Sequence, residues 1–172
     1  MIIEDNVIDI LKKAESAGAS VLVAGGWGVD ALLGRQTRQH NDFDIFVHKN
    51  DEKTLTEIFR SSGYQETEKH SDDNTAWTNA DGALIDFHLF EFAEEGLMRH
   101  DGISFPADIF NGKGTIGGVA VRCMTAESQV SYRHGYELRD KDVQDVLLLC
   151  ESFGLQIPEA FEITTMITPE EY

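Results

Sequence analysis

The chain opens with apolar residues at helical spacing. Val7, Ile10, Leu11 and Ala14 fall on one face of a 3.6-residue repeat over residues 6–17, and Gly18 ends the run. The next apolar stretch, Val21-Leu22-Val23-Ala24, is short and continuous, which predicts a buried strand. Gly25-Gly26 breaks it, and residues 27–33 then predict a helix with Gly34 as its C-cap. Past a polar stretch, residues 35–41, the period changes to two. Phe43, Ile45 and Val47 alternate with Asp42, Asp44 and Phe46, the pattern of a strand. Residues 51–62 return to helical spacing, with Leu55, Ile58 and Phe59 toward the core.

The second half reads as antiparallel at first. Residues 75–80 predict a strand, Asp81-Gly82 a hairpin turn, and residues 83–92 a longer strand carrying Leu84, Ile85, Phe87, Leu89 and Phe90. A Gly-rich loop zone follows to about residue 114, and residues 116–123 predict a further strand. Thr125 is a candidate N-cap. Beyond it, residues 126–136 and 140–153 read as two helices, the second with Val143, Val146, Leu147 and Cys150 on one face. The tail from Pro158 is acidic and reads as a packed arm or a frayed end. The pattern predicts an α/β (α+β) sheet domain over residues 1–124, followed by a small C-terminal helical annex and tail over residues 125–172.

Composition narrows the function. The 172 residues carry 14 Lys+Arg against 31 Asp+Glu, a formal net charge of −17. Such a chain is a poor candidate for gripping nucleic-acid backbone or an anionic membrane surface, because both want Lys and Arg. It can attract cations: metal ions, or a small amine-bearing substrate. The same charge also serves solubility alone. Cys123 and Cys150 match no zinc or CxxC spacing and predict two reduced, buried thiols. The N-terminus lacks the basic and apolar regions of a signal peptide, and no apolar run reaches the roughly 18 residues of a membrane span. A cytoplasmic protein is expected.

The chemistry concentrates in a few residues. A strand puts positions i and i+2 on one face, so Asp42 and Asp44 point the same way, about 7 Å apart. Two such carboxylates are costly side by side unless a positive charge joins them. A hard divalent cation with oxygen ligands meets that need. Asp86 sits in an apolar frame, Leu84-Ile85-Asp86-Phe87, on the face opposite Ile85 and Phe87. A lone acid in such a strand is either a hydrogen-bonded buried carboxylate or a metal or proton group. Gly25-Gly26, opening a helix, offers free backbone N–H groups to phosphate. Each feature alone has an ordinary explanation; their conjunction is the specific signal.

Residues 25–47, GGWGVDALLGRQTRQHNDFDIFV, resemble the nucleotidyltransferase superfamily that includes DNA polymerase beta. The pattern GGWGVD…GR.TR.H.D.D resembles the lincosamide nucleotidyltransferases and their aminoglycoside 2''-adenylyltransferase relatives. The later run RHGYELRDKDVQDVLLL is similar to their C-terminal helices. The resemblance spans about residues 20–153, and its middle matches nothing closely. It implies a nucleotidyltransferase fold, a mixed sheet flanked by helices. It implies that Asp42 and Asp44 bind Mg²⁺ and the nucleoside triphosphate, and that Gly25 and Gly26 approach that triphosphate. Asp86 would be the general base on an acceptor hydroxyl and would also touch a second Mg²⁺. The reaction implied is in-line attack on the α-phosphorus of ATP, with an AMP ester and pyrophosphate as products.

Other candidates carry a bland alternative. Arg35 and Arg38 either contact phosphate or form a solvated loop pair. His40 either supports the metal or is a surface histidine. Lys141 either reaches phosphate or pairs with Asp145 at i,i+4 on a helix surface. Arg133, His134 and Tyr136 would line the cleft between annex and sheet. His88 shares the Asp86 face and, with Tyr136 and Glu91, is assigned to the acceptor. Trp27 is expected in the core. Residues 65–101 hold ten acids against only Lys69 and Arg99, which suits a cationic acceptor. The expected reaction is O-adenylylation of a lincosamide, lincomycin or clindamycin, as a resistance activity. The alternatives are aminoglycoside 2''-O-adenylylation, or a toxin-type transferase that modifies a protein or tRNA. The expected partners are the cationic antibiotic and the nucleoside triphosphate, without nucleic acid or membrane. The small size leaves room for a homodimer sharing the acceptor site.

Overall fold

The computed structural model describes residues 1–133 and 139–161. Four elements carry the N-terminal half of the chain: α1 (Glu4–Ser16), β1 (Val21–Val23), α2 (Gly25–Leu33) and β2 (Asp42–His48). After a single 3₁₀ turn come α3 (Glu52–Ser61), β3 (Tyr64–Lys69), β4 (Asn74–Asn79) and β5 (Leu84–Phe92). The chain continues through β6 (Leu97–His100), β7 (Ile103–Pro106), β8 (Gly112–Ile116), β9 (Val119–Cys123), α4 (Ala126–Ser131) and α5 (Asp140–Phe153).

The strands form a mixed sheet in the order β3-β4-β5-β2-β1-β9-β8. The β2–β5 and β1–β9 pairs are parallel and the other neighbours antiparallel. β6 and β7 leave the sheet as a ribbon paired to the end of β5. The period-two residues Phe43, Ile45, Val47, Ile85, Phe87 and Leu89 all enter one core with Val7, Ile10 and Leu11 of α1 and Leu55 and Phe59 of α3. Trp27 joins it, fully buried. The annex closes a second core: Val130 of α4 and Val146 and Leu149 of α5 pack around Val29 of α2. A third, around Phe90, Met98, Phe110 and Met124, lies beneath the β6–β7 ribbon. Cys123 and Cys150 are free and buried, as expected.

Several elements differ from the sequence reading. α2 starts at Gly25, not at Trp27. β3 was not expected: only Tyr64 is buried and the other five residues are exposed. An edge strand with water on both faces writes no alternation. The Gly-rich zone contains the β6–β7 hairpin, turned by Asp101-Gly102, both with positive φ (49° and 75°). The strand expected at 116–123 is instead the β8–β9 hairpin. Its Gly114 lies against the backbone of α2, where a Cβ would strike the Ala31 carbonyl. The helix expected at 126–136 closes at Ser131, and residues 134–136 lie outside the described residues. Among the described residues no helix is long and apolar enough to cross a membrane.

Candidate active site

The parallel pairing of β2 with β5 builds the centre. Its register sets Asp44 directly opposite Asp86 and Phe46 opposite His88, on the sheet face away from Phe43 and Ile85. The ligand atoms of Asp44, Asp86 and His88 all lie within 4.8 Å of one another. Burial, then the charges of Asp42 and Asp86, push the Asp44 carboxyl up to about 7. Burial also lifts Asp86, but the His88 imidazole, with Nε2 3.4 Å from Oδ2, holds it below the usual carboxylate range. Asp86 Oδ1 is buried without a hydrogen-bond partner. Crowded carboxylates, one forced toward its neutral form and one with an unused oxygen, suit a hard divalent cation with oxygen ligands.

The Gly25-Gly26 turn closes on this cluster. The Ala24 N–H donates to the Asp44 carbonyl at 2.9 Å, which fixes the end of β1 to β2. Gly25 has φ +57°, and a Cβ there would collide with the Asp44 carboxylate. A Cβ on Gly26 would collide with the His40 ring and with Arg38. The start of α2 therefore reaches the carboxylates only because both positions are glycine. A cleft of about 280 Å³ opens here. Gly25, Gly26, Asp42 and Asp44 line it together with Arg38, Arg133, Arg139 and Lys141, and Arg38 lies directly against Gly26. The start of α2, the carboxylates and these cations thus share one space.

The remaining candidates separate. Arg38 lines the cleft and donates to Asp145 from Nε (3.0 Å) and Nη2 (2.8 Å). His40 is buried beneath it, 2.5 Å from Asp30 Oδ2, with its ring 4.7 Å from that of Trp27. It is therefore no surface histidine. Arg35 is exposed and is not among the cleft residues. His88 stacks on Phe46 at 4.6 Å and lies beside His100. Glu91 has the strand parity of Ile85, Phe87 and Leu89, so it falls on the face opposite Asp86, 3.9 Å from Arg99. The structure does not bring it to the carboxylates. His134 and Tyr136 lie outside the described residues.

The pair expected between Lys141 and Asp145 is replaced by another. Asp145 is fully buried and accepts from both Arg38 and Arg133. A signal was present: Asp145 sits between Val143 and Val146 on the apolar face of α5, where a carboxylate demands a cation. Asp30 and Gln129, both 2% exposed, were also missed.

A strand, a glycine turn into a helix, two acids on the next strand and a third across a parallel neighbour, on a mixed sheet, define a nucleotidyltransferase. The aminoglycoside-2''-adenylyltransferase family model matches residues 6–149, and the chain belongs to that family of enzymes. A lincosamide resistance protein of Staphylococcus haemolyticus is 23% identical over 148 residues, 83% of this chain and 91% of that protein. The fold is similar to lincosamide adenylyltransferase LnuA in its lincomycin-bound crystal structure, with TM-score 0.76 and 22% identity, covering 90% of this chain and 99% of that one. It is also similar to ANT(2'')-Ia in complex with adenylyl-2''-tobramycin, with TM-score 0.72 and 24% identity, over 93% and 92% of the two chains.

Proposed function

We propose that the protein transfers AMP from ATP to a hydroxyl of a lincosamide antibiotic, in the cytoplasm, with Mg²⁺. The observation that carries the reading is the Asp44–Asp86 register beside Asp42, at a cleft that four cations also line. Asp42, Asp44 and Asp86 would hold the metal, with room in the donor set for two ions. Mg²⁺, when bound, offsets charge on the attacking and leaving oxygens. Asp86, kept ionised by His88, takes the proton of the acceptor hydroxyl. The hydroxyl oxygen bonds to the α-phosphorus, the bond to the β-phosphate bridge breaks, and pyrophosphate leaves. Gly25 and Gly26 let the α2 N–H groups approach the phosphates. Arg38 and Lys141, which line the same cleft, contact them as well.

The acceptor is assigned to the other side of Asp86, against His88. Asn74 pairs with His88 across β4–β5, and its Oδ1 is buried without a partner. Asp86 and His88, both partly exposed, with Asn74 beside them, suit a ligand rich in hydroxyl and amine donors. The lincosamide reading draws on the similarity to a lincosamide resistance protein and to LnuA. The family match supports a second acceptor class, an aminoglycoside. Purified protein incubated with ATP, Mg²⁺ and clindamycin or lincomycin should give an adenylylated product by mass spectrometry. Product with kanamycin and none with either lincosamide would transfer the assignment to the second class.

A further inference from the structure

We propose that Gln129 and Asp145 are positioning residues for the nucleotide: they close a buried ring of hydrogen bonds that fixes the Gly25 turn and the Arg38 guanidinium relative to each other. The inference rests on the reading of the cleft as a nucleotide site. The ring begins at the Gly25 carbonyl, which accepts from Gln129 Nε2 at 3.1 Å. Gln129 Oε1 accepts from Arg133 Nη1 at 2.6 Å. Arg133 Nη2 donates to Asp145 Oδ2 at 3.0 Å, and Arg38 grips both oxygens of the same carboxylate. Arg38 Nη1 lies 3.0 Å from His40 Nδ1, and His40 Nε2 reaches Asp30, back on α2.

The directions are fixed by chemistry. Guanidinium groups only donate. Gln129 must therefore turn its oxygen to Arg133 and its NH₂ to Gly25. His40 must accept at Nδ1, so Nε2 carries the proton given to Asp30. No amide or ring in the circuit can flip without opposing two acceptors or two donors. Asp145, Gln129 and Arg133 are 0, 2 and 7% exposed, so water does not replace a lost bond cheaply. The ring links α2, α4, α5 and the loop before β2. Three of its side chains, Arg38, Gln129 and Arg133, line the cleft with Gly25 and Gly26.

Gln129→Glu tests this with one atom. It keeps the volume and the acceptor for Arg133, but sets an oxygen against the Gly25 carbonyl; because it also adds a charge at the cleft, Gln129→Met, which breaks both bonds without one, must weaken Mg-ATP binding as well. Calorimetry on folded protein should show Mg-ATP affinity weakened about tenfold relative to wild type. Asp145→Asn should weaken it at least as much. If Asp145→Asn fails to fold, the two Gln129 variants alone decide. A role in folding only would lower the melting temperature and leave the dissociation constant of the folded protein unchanged, and that result overturns the proposal. Wild type that binds no Mg-ATP would overturn the reading of the cleft itself, and this inference with it.

Discussion

The two flanks of the Asp42–Asp44–Asp86 cluster are built from opposite materials. Toward α4 and α5, four of the chain's 14 Lys and Arg residues line one cleft. Toward β4 and the β6–β7 ribbon stand His88, His100 and Asn74, with the carboxylates of Asp73 and Asp101 beyond. The contrast explains how a chain of charge −17 can receive a polyphosphate. Net charge describes solubility and steering at a distance. Binding at contact depends on which side of one strand pair the cations sit. The strands divide the labour as well: β2 presents two acids beside the cation-lined cleft, and β5 presents one acid and a histidine toward the other flank.

The sharpest test of that division is Asp86→Asn. Turnover should fall by about 10³-fold while Mg-ATP affinity stays near wild type, measured by pyrophosphate release and calorimetry. Loss of nucleotide binding would make Asp86 chiefly a metal ligand rather than the base and blur the two flanks. Asp44→Asn should lower both, with turnover down about 10²-fold; unchanged activity would remove Asp44 from the centre. This variant also has a pH signature. Without metal, the folded chain keeps a proton on Asp44 up to about 7, whereas the unfolded chain releases it near 3.8. The native state then binds more protons between these values, so its stability falls as pH rises through that window. Metal-free Asp44→Asn should therefore melt higher than wild type at pH 8. A lower melting temperature would show that the carboxylates are not in conflict.

Smaller effects separate the flanks further. Lys141→Met should raise the KM for ATP about tenfold and leave the acceptor KM unchanged, because the side chain lines only the cleft. Asn74→Ala should do the reverse and more weakly, raising the acceptor KM about threefold with ATP unaffected. If either variant moves both constants together, the two flanks are one site and the comparison fails.

Legibility followed the same divide. The placement of the acids on β2 and β5 and of the Gly25-Gly26 turn could be read directly, because each acid stands out against a clear apolar period and the glycines end a strand. The flank beyond β5 was illegible in detail. β3 is solvated on both faces, and β6 and β7 have four residues each. At the other end of the sheet, β8 carries Gly114 against α2 and Gly112 against the backbone of Cys123 and Met124. The buried ring was missed for another reason. Asp30, Gln129 and Asp145 lie up to 115 positions apart and meet only when α4 and α5 fold onto α2. Local spacing offered Asp145 a nearer partner, Lys141, and tertiary packing supplied Arg38 and Arg133 instead.

The most direct measurement is the mass of the acceptor after incubation of wild-type protein and Asp86→Asn with ATP, Mg²⁺ and lincomycin. Wild type should add one adenylyl group to lincomycin, with pyrophosphate released, and the variant almost none. Equal product from both proteins would contradict the assignment of the acceptor proton to Asp86. No adenylylated product from wild type, with lincomycin, clindamycin or an aminoglycoside, would contradict the transfer itself.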